Sequence, residues 1–289
     1  MDREPTTIPS PSGRGEGEGP QGAAIVITPG VLRQRHIACS TQQPSGENPQ
    51  ERNGIPKQEI MRKEPAWPPK VQVAGVSSLE EALLCHRVGV HAVGFTLELP
   101  SGIHDGLTTE IAASIVEQLP RDLLVVLITY LDTAEAAAAL VRRINADAVQ
   151  FHGGISDQEL RVFKNQCPDV RTIGRVTVAG EAAIADAQRS TPPLWDALIL
   201  DSHDPGTGRI GATGRVHDWS ISSRIVKAAR VPVILAGGLN PGNVAAAIRS
   251  VRPHGVDAHT GLEEPDGTRR FEKIRAFAQS ALAAFEEYD

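Results

Sequence analysis

The stretch VPVILAGGLNPGNVAAAIRSV, Val231 to Val251, decides the fold. It passes from an apolar, β-branched run through two glycines into a segment with helical spacing of its apolar residues, which reads as strand, tight turn and helix. The same pattern repeats from Lys70 onward. Strand-like runs are KVQVA, HAVGFTL, LLVVLIT, DAVQF, VRTIGRV, DALIL, VPVILA and GVDAHT. Between and after them lie helix-like segments such as SSLEEALLCHRV, TAEAAAALVRRI and RRFEKIRAFAQSALAAFEEY, several opening on a residue suited to an N-cap. Strand and helix alternate eight times.

Such alternation calls for a parallel sheet clothed by helices, and a count of eight favours closure into a (βα)8 TIM barrel. The alternative is an open doubly wound sheet, which usually carries a Gly-rich dinucleotide turn after its first strand, whereas VQVAGVSS holds a single glycine. The expected organisation is a disordered tail over residues 1–64 and a barrel domain over 65–289. The tail is rich in Pro, Gly, Gln, Glu and Arg, and its one apolar patch, AAIVITPGVL, has no neighbouring segment to pack against. A docking segment, or an upstream start wrongly translated, are the other readings of that tail.

A chain of 289 residues that is 40% hydrophobic can bury a sizeable core. The net charge of -6 gives no electrostatic reason to expect nucleic acid or an anionic membrane as partner. No apolar run is long enough to cross a bilayer and no signal core opens the chain, so the expected location is the cytoplasm. Cys39, Cys85 and Cys167 show neither paired nor metal-ligand spacing, and no metal is expected.

In a barrel the reactive groups lie beyond the C-terminal ends of the strands, and the loops after strands 7 and 8 often cradle a phosphate. Gly237, Gly238, Gly261 and Leu262 are therefore expected to offer backbone N–H groups, with a helix start adding a favourable dipole. The alternative is a plain tight turn before Pro241.

Four pieces carry a family resemblance: AVQFHG (Ala148 to Gly153), DALILDSHDPGTGRIGATGRVHDW (Asp196 to Trp219), PVILAGGLNPGNV (Pro232 to Val244) and VRPHGVDAHTGLE (Val251 to Glu263). In their order and spacing they resemble phosphoribosylanthranilate isomerase, an enzyme family of tryptophan biosynthesis, over roughly Lys70 to Phe285. The resemblance implies a barrel, a phosphorylated small-molecule substrate and an Amadori rearrangement of N-(5-phosphoribosyl)anthranilate that uses no cofactor. Such a reaction needs an acid for the ring oxygen as the furanose opens and a base for the proton beside the resulting imine. The resemblance makes Asp201 the acid and places Asp257 and His152 near the substrate. Each also has a bland reading, as loop cap, internal hydrogen-bonding residue and rim histidine. A monomer or a homodimer both suit the pattern.

Two departures stand out. The family ends strand 1 with Cys-Gly, the cysteine acting as base, with a lysine two positions earlier; here those positions are Ala74 and Gln72. A methyl group cannot take a proton, and loss of a general base costs about a hundred- to ten-thousand-fold in rate. Cys85 falls in the middle of the next helix, facing away. The loop after strand 2, where relatives carry an arginine for the anthranilate carboxylate, has no arginine between Phe95 and Glu117. His104 offers a weaker contact there, and Glu98 and Ser77 are candidates to replace the base. Arg175 on strand 5 either enters the mouth or stabilises the wall, the run Asp204–Gly214 resembles the family's mobile loop, and Trp195 and Trp219 read as packing residues. The other functional readings are an enzyme acting on a different phosphorylated sugar or amine, and a non-catalytic binder of a phosphorylated ligand.

Overall fold

The computed structural model describes residues 66–99, 107–202 and 216–287. The tail 1–64, His104 and the run Asp204–Gly214 lie outside the described residues.

Eight strands follow the eight apolar runs: β1 (Val71–Ala74), β2 (Ala92–Thr96), β3 (Leu124–Thr129), β4 (Ala148–Phe151), β5 (Arg171–Val178), β6 (Ala197–Ser202), β7 (Val233–Leu235) and β8 (Gly255–Ala258). Each pairs in parallel with the next, and β8 returns to β1, so the sheet is a closed barrel. The helices are α1 (Leu79–Arg87), α2 (Thr109–Glu117), α3 (Ala134–Ile144), α4 (Asp157–Gln166), α5 (Ala182–Arg189), α6 (Trp219–Ala228), α7 (Val244–Val251) and α8 (Phe271–Glu286). Ser78, Thr108, Ser156 and Asp218 cap α1, α2, α4 and α6 by accepting a backbone N–H from the first turn. Each cap satisfies a donor that has no intrahelical partner.

Parallel strands under helices are buried on both faces, which explains why their sequences run apolar without alternation. One set of side chains, including Val73, Phe95, Leu127, Phe151 and Leu198, packs outward against the helices. The other, including Ala74, Val126, Ile128, Ile173, Ile199, Ile234 and Ala236, fills the barrel. Gln72, Gln150, Asp201 and Asp257 break this apolar set at buried strand positions.

Two element starts differ from the sequence reading. α7 begins only at Val244 and not soon after the two glycines, because the Asn240 side chain accepts the Gly242 N–H and the Asn243 side chain accepts the Asn240 N–H, both at 2.8 Å. Those bonds make NPGN a turn in front of the helix. β7 begins only at Val233, after Pro232, which has no N–H to give to a ladder.

A largely covered arginine, its side chain 12% exposed, ties the ends of the barrel together. Arg269, just before α8, donates to the carbonyls of Ala74 at 2.9 Å, Gly75 at 3.0 Å and His259 at 2.9 Å, and pairs with Glu81 of α1 at 3.1 Å. Gly75 has φ 71, and a Cβ there would collide with the His259 imidazole and the Arg269 guanidinium. Glycine is required by both conformation and space.

Candidate active site

Asp201 ends β6 and points into the barrel by the same alternation that turns Ile199 inward. Its side chain is buried, and one carboxylate oxygen accepts the Ser202 N–H at 2.8 Å. Burial raises its pKa, opposed by that hydrogen bond and by the positive charges of Arg175 and His259. A carboxyl so placed holds a proton more readily than a solvated one.

Asp257 lies on β8, its Cα paired with that of Gln72 on β1. Its Oδ1 is buried and has no hydrogen-bond partner among the described residues. Burial and the nearby charge of Asp201 push its carboxyl up to about 7, against the pull of the Gln72 amide and of Arg269. Two carboxyl groups in one water-poor space cannot both ionise freely, so the pair favours holding one proton between them.

Across the barrel, Gln72 donates its amide to Gln150 Oε1 at 3.0 Å, and Gln150 donates to His152 Nε2 at 2.6 Å. His152 is therefore neutral, with Nε2 accepting and Nδ1 carrying the proton. Burial, with the charges of Arg175 and His259, holds its pKa down to about 3. Its ring leans on Tyr130, with centroids 5.7 Å apart. His152 is thus poorly suited to take up a proton.

Arg175 resolves in favour of the mouth: it shares the inward phase of Ile173 on β5, and its charge acts on both Asp201 and His152. Nη1 of its guanidinium is buried with no hydrogen-bond partner among the described residues. A buried donor on a cation is costly to leave unpaired.

The glycines divide by role. Gly237 and Gly238 have φ 82 and 66, a conformation that suits glycine. A Cβ on Gly237 would sit 3.0 Å from both His217 Nδ1 and the Ser202 backbone nitrogen, so what approaches it is the end of β6. Gly261 is excluded from bearing a side chain by the Leu239 carbonyl, which joins the loops after β7 and β8. Leu262 does not fit the role of free donor: its N–H already donates to the His259 carbonyl at 3.0 Å within the 3-10 turn Thr260–Leu262, and its side chain is fully buried. The open groove beside this turn, of about 610 Å³, is lined by Gly261 and Lys273 and also by Glu263 and Glu272.

The candidate replacement bases are placed as follows. Glu98 is exposed, with φ 54, and the Ser77 backbone N–H faces Glu81 at 3.3 Å at the entrance to α1. Cys85 is buried in α1 and its thiol is pushed up to about 12, chiefly by desolvation. Trp195 packs on Gly174 and edge-on to Phe151, with centroids 6.2 Å apart, as a packing residue does. Sequence reasoning missed the Gln72–Gln150 link and the Arg269 clamp. The signal for the first was present, as a polar residue in the middle of each of two apolar strands.

Proton donors and acceptors gathered at the C-terminal rim of a closed parallel barrel define a (βα)8 enzyme of the acid–base class. The sequence model of the family N-(5'phosphoribosyl)anthranilate (PRA) isomerase matches residues 74–280. N-(5'-phosphoribosyl)anthranilate isomerase 2 of Methanosarcina mazei is 35% identical over 216 residues, covering 75% of this chain and 95% of that protein. The crystal structure of phosphoribosyl anthranilate isomerase from Thermotoga maritima superposes with a TM-score of 0.64 at 28% identity, covering 74% of this chain and 98% of that one. A phosphoribosyl anthranilate isomerase solved in complex with reduced 1-(o-carboxyphenylamino)-1-deoxyribulose 5-phosphate superposes with a TM-score of 0.62 at 27% identity, covering 74% and 98%. The chain belongs to the phosphoribosylanthranilate isomerase family.

Among the described residues no helix is long and apolar enough to cross a membrane.

Proposed function

We propose that this chain converts N-(5-phosphoribosyl)anthranilate to the corresponding aminoketose in the cytoplasm, as a step of tryptophan biosynthesis. The observation that carries the reading is Asp201, a buried carboxyl with a raised pKa at the inward end of β6. It serves as the acid: it gives its proton to the ring oxygen while the anilino nitrogen pushes out the C–O bond and forms the imine. The rearrangement moves protons and no net electrons, so side chains suffice for it.

The substrate's phosphate lies against the backbone of Gly237, Gly238 and Gly261, where the loops after β7 and β8 meet. His152 Nδ1–H faces a sugar hydroxyl, and Arg175 receives the anthranilate carboxylate that the strand 2 loop offers no arginine to hold. The test is growth: a tryptophan auxotroph lacking its own isomerase is rescued by this chain and is not rescued by Asp201→Asn produced at the same level. Rescue failing for both, with soluble protein present, contradicts the assignment.

A further inference from the structure

We propose that Asp257 is the general base of the rearrangement, removing the proton from the carbon beside the imine. This rests on the isomerase reading above and adds the partner that Asp201 needs.

The first ground is register. Leu200 of β6 pairs with Leu235 of β7, and Leu235 pairs with Val256 of β8. One residue further along all three strands, Asp201, Ala236 and Asp257 stand in a row on the inner face. Two strand spacings separate the outer two, so their Cα atoms are roughly 10 Å apart. Between them in the row stands Ala236, and beyond Asp257 the inner face of β1 carries Ala74, both with no more than a methyl group. The row therefore turns a carboxyl group inward on either side of a small residue.

The second ground is the unsatisfied oxygen. Asp257 Oδ1 is buried and accepts no hydrogen bond among the described residues. A carboxylate oxygen without a donor in such a place is costly unless a ligand completes it. His217, beside Gly237, has both ring nitrogens buried without a partner among the described residues, but burial holds its pKa down to about 4 and makes it the weaker base. Four other groups are engaged or misplaced. His152 Nε2 already accepts from Gln150. His259 lies 3.3 Å from Glu263, and Glu81 is paired with Arg269. Cys85 is in a helix outside the barrel wall.

The step balances as follows. Asp201 gives a proton to the ring oxygen, and the ring C–O bond breaks as the nitrogen lone pair forms the C=N bond of the iminium. Asp257 carboxylate takes the proton from the adjacent carbon. The C–H electron pair becomes the C=C bond of an enolamine, and the C=N π pair returns to nitrogen. The enolamine tautomerises to the aminoketone, and the proton moved from Asp201 to Asp257 in the cycle is released to solvent and replaced on Asp201 before the next turnover. The step runs in the form with Asp201 protonated and Asp257 ionised; there Asp201 does not repel the Asp257 carboxylate, and burial is what keeps Asp257 a stronger base than a solvated carboxylate. The groups that face the pair are Gln72 from β1, Arg175 from β5, His259 after β8 and Arg269 before α8.

The test compares wild-type protein with Asp257→Asn, a near-isosteric change, in steady-state turnover of N-(5-phosphoribosyl)anthranilate across pH, with binding of reduced 1-(o-carboxyphenylamino)-1-deoxyribulose 5-phosphate as a fold control. The expected result is a kcat lower by roughly a hundred- to ten-thousand-fold, with KM and analogue affinity within about threefold and the acid limb of the kcat profile lost. A variant that keeps kcat within about threefold, or that keeps the acid limb, overturns the proposal while leaving the isomerase reading intact. Loss of analogue binding in the variant also overturns it, in favour of a structural role. Absence of turnover by the wild type overturns the isomerase reading and this inference with it.

Discussion

Asp257 of β8 sits level with Gln72 of β1, and one of its carboxylate oxygens is buried with no hydrogen bond among the described residues. A position at which the family resemblance expects a lysine thus holds a neutral amide, and the carboxyl beside it has no close opposite charge on β1. The consequence reaches both stability and catalysis.

For stability the sign is unusual for an aspartate. Its folded pKa, about 7, stands above the ordinary 3.8, so between these values the folded state binds more protons than the unfolded one. Stability contributed by this group is full below the lower value and is lost as pH rises through the upper. Asp201 and Glu81, also raised, act in the same direction. Thermal unfolding of Asp257→Asn is therefore expected to show a higher Tm than wild type at pH 7 and a smaller difference at pH 4. Equal melting of the two proteins at both pH values contradicts this.

Arg175 is the cation that acts most strongly on the proposed acid among the described residues. Removing it as Arg175→Gln takes away a positive charge that lowers the Asp201 pKa, so the basic limb of the pH–rate profile moves to higher pH. If the guanidinium also holds the substrate's carboxylate, KM rises tenfold or more for N-(5-phosphoribosyl)anthranilate and is unchanged for the aniline analogue that lacks the carboxylate. Equal losses for the two substrates remove the carboxylate role.

The Arg269 clamp is a matter of folding. Arg269→Met leaves Glu81 buried without its cation, which is expected to cost on the order of 3–5 kcal/mol, while Glu81→Leu combined with Arg269→Met recovers much of it. Urea denaturation of the three proteins measures the difference. A single variant as stable as wild type shows that the clamp contributes nothing.

Gly261 tests the contact between the two loops. In Gly261→Ala the added methyl meets the Leu239 carbonyl, a backbone atom that cannot swing aside, so the loops after β7 and β8 must part. The expected result is at least a tenfold rise in the inhibition constant of inorganic phosphate. An unchanged constant shows that phosphate binds elsewhere.

The eight strand–helix units were legible because parallel strands buried on both faces leave unbroken apolar runs, and because caps such as Ser78 and Ser156 mark the helix starts. Asp201 was legible for the same reason, as a charge at the end of such a run. The start of α7 was not, since it depends on where the Asn240 and Asn243 side chains turn. Nor was the Leu262 N–H, whose engagement follows from a three-residue 3-10 turn. The Arg269 clamp joins residues almost two hundred positions apart, and no local pattern announces it.

The most direct measurement is turnover of freshly generated N-(5-phosphoribosyl)anthranilate by the purified full chain, followed by loss of substrate fluorescence, beside Asp201→Asn. Turnover by the wild type that falls by at least a hundredfold in the variant is the predicted result. No turnover by the wild type at high enzyme concentration, or equal turnover by the two proteins, contradicts the account.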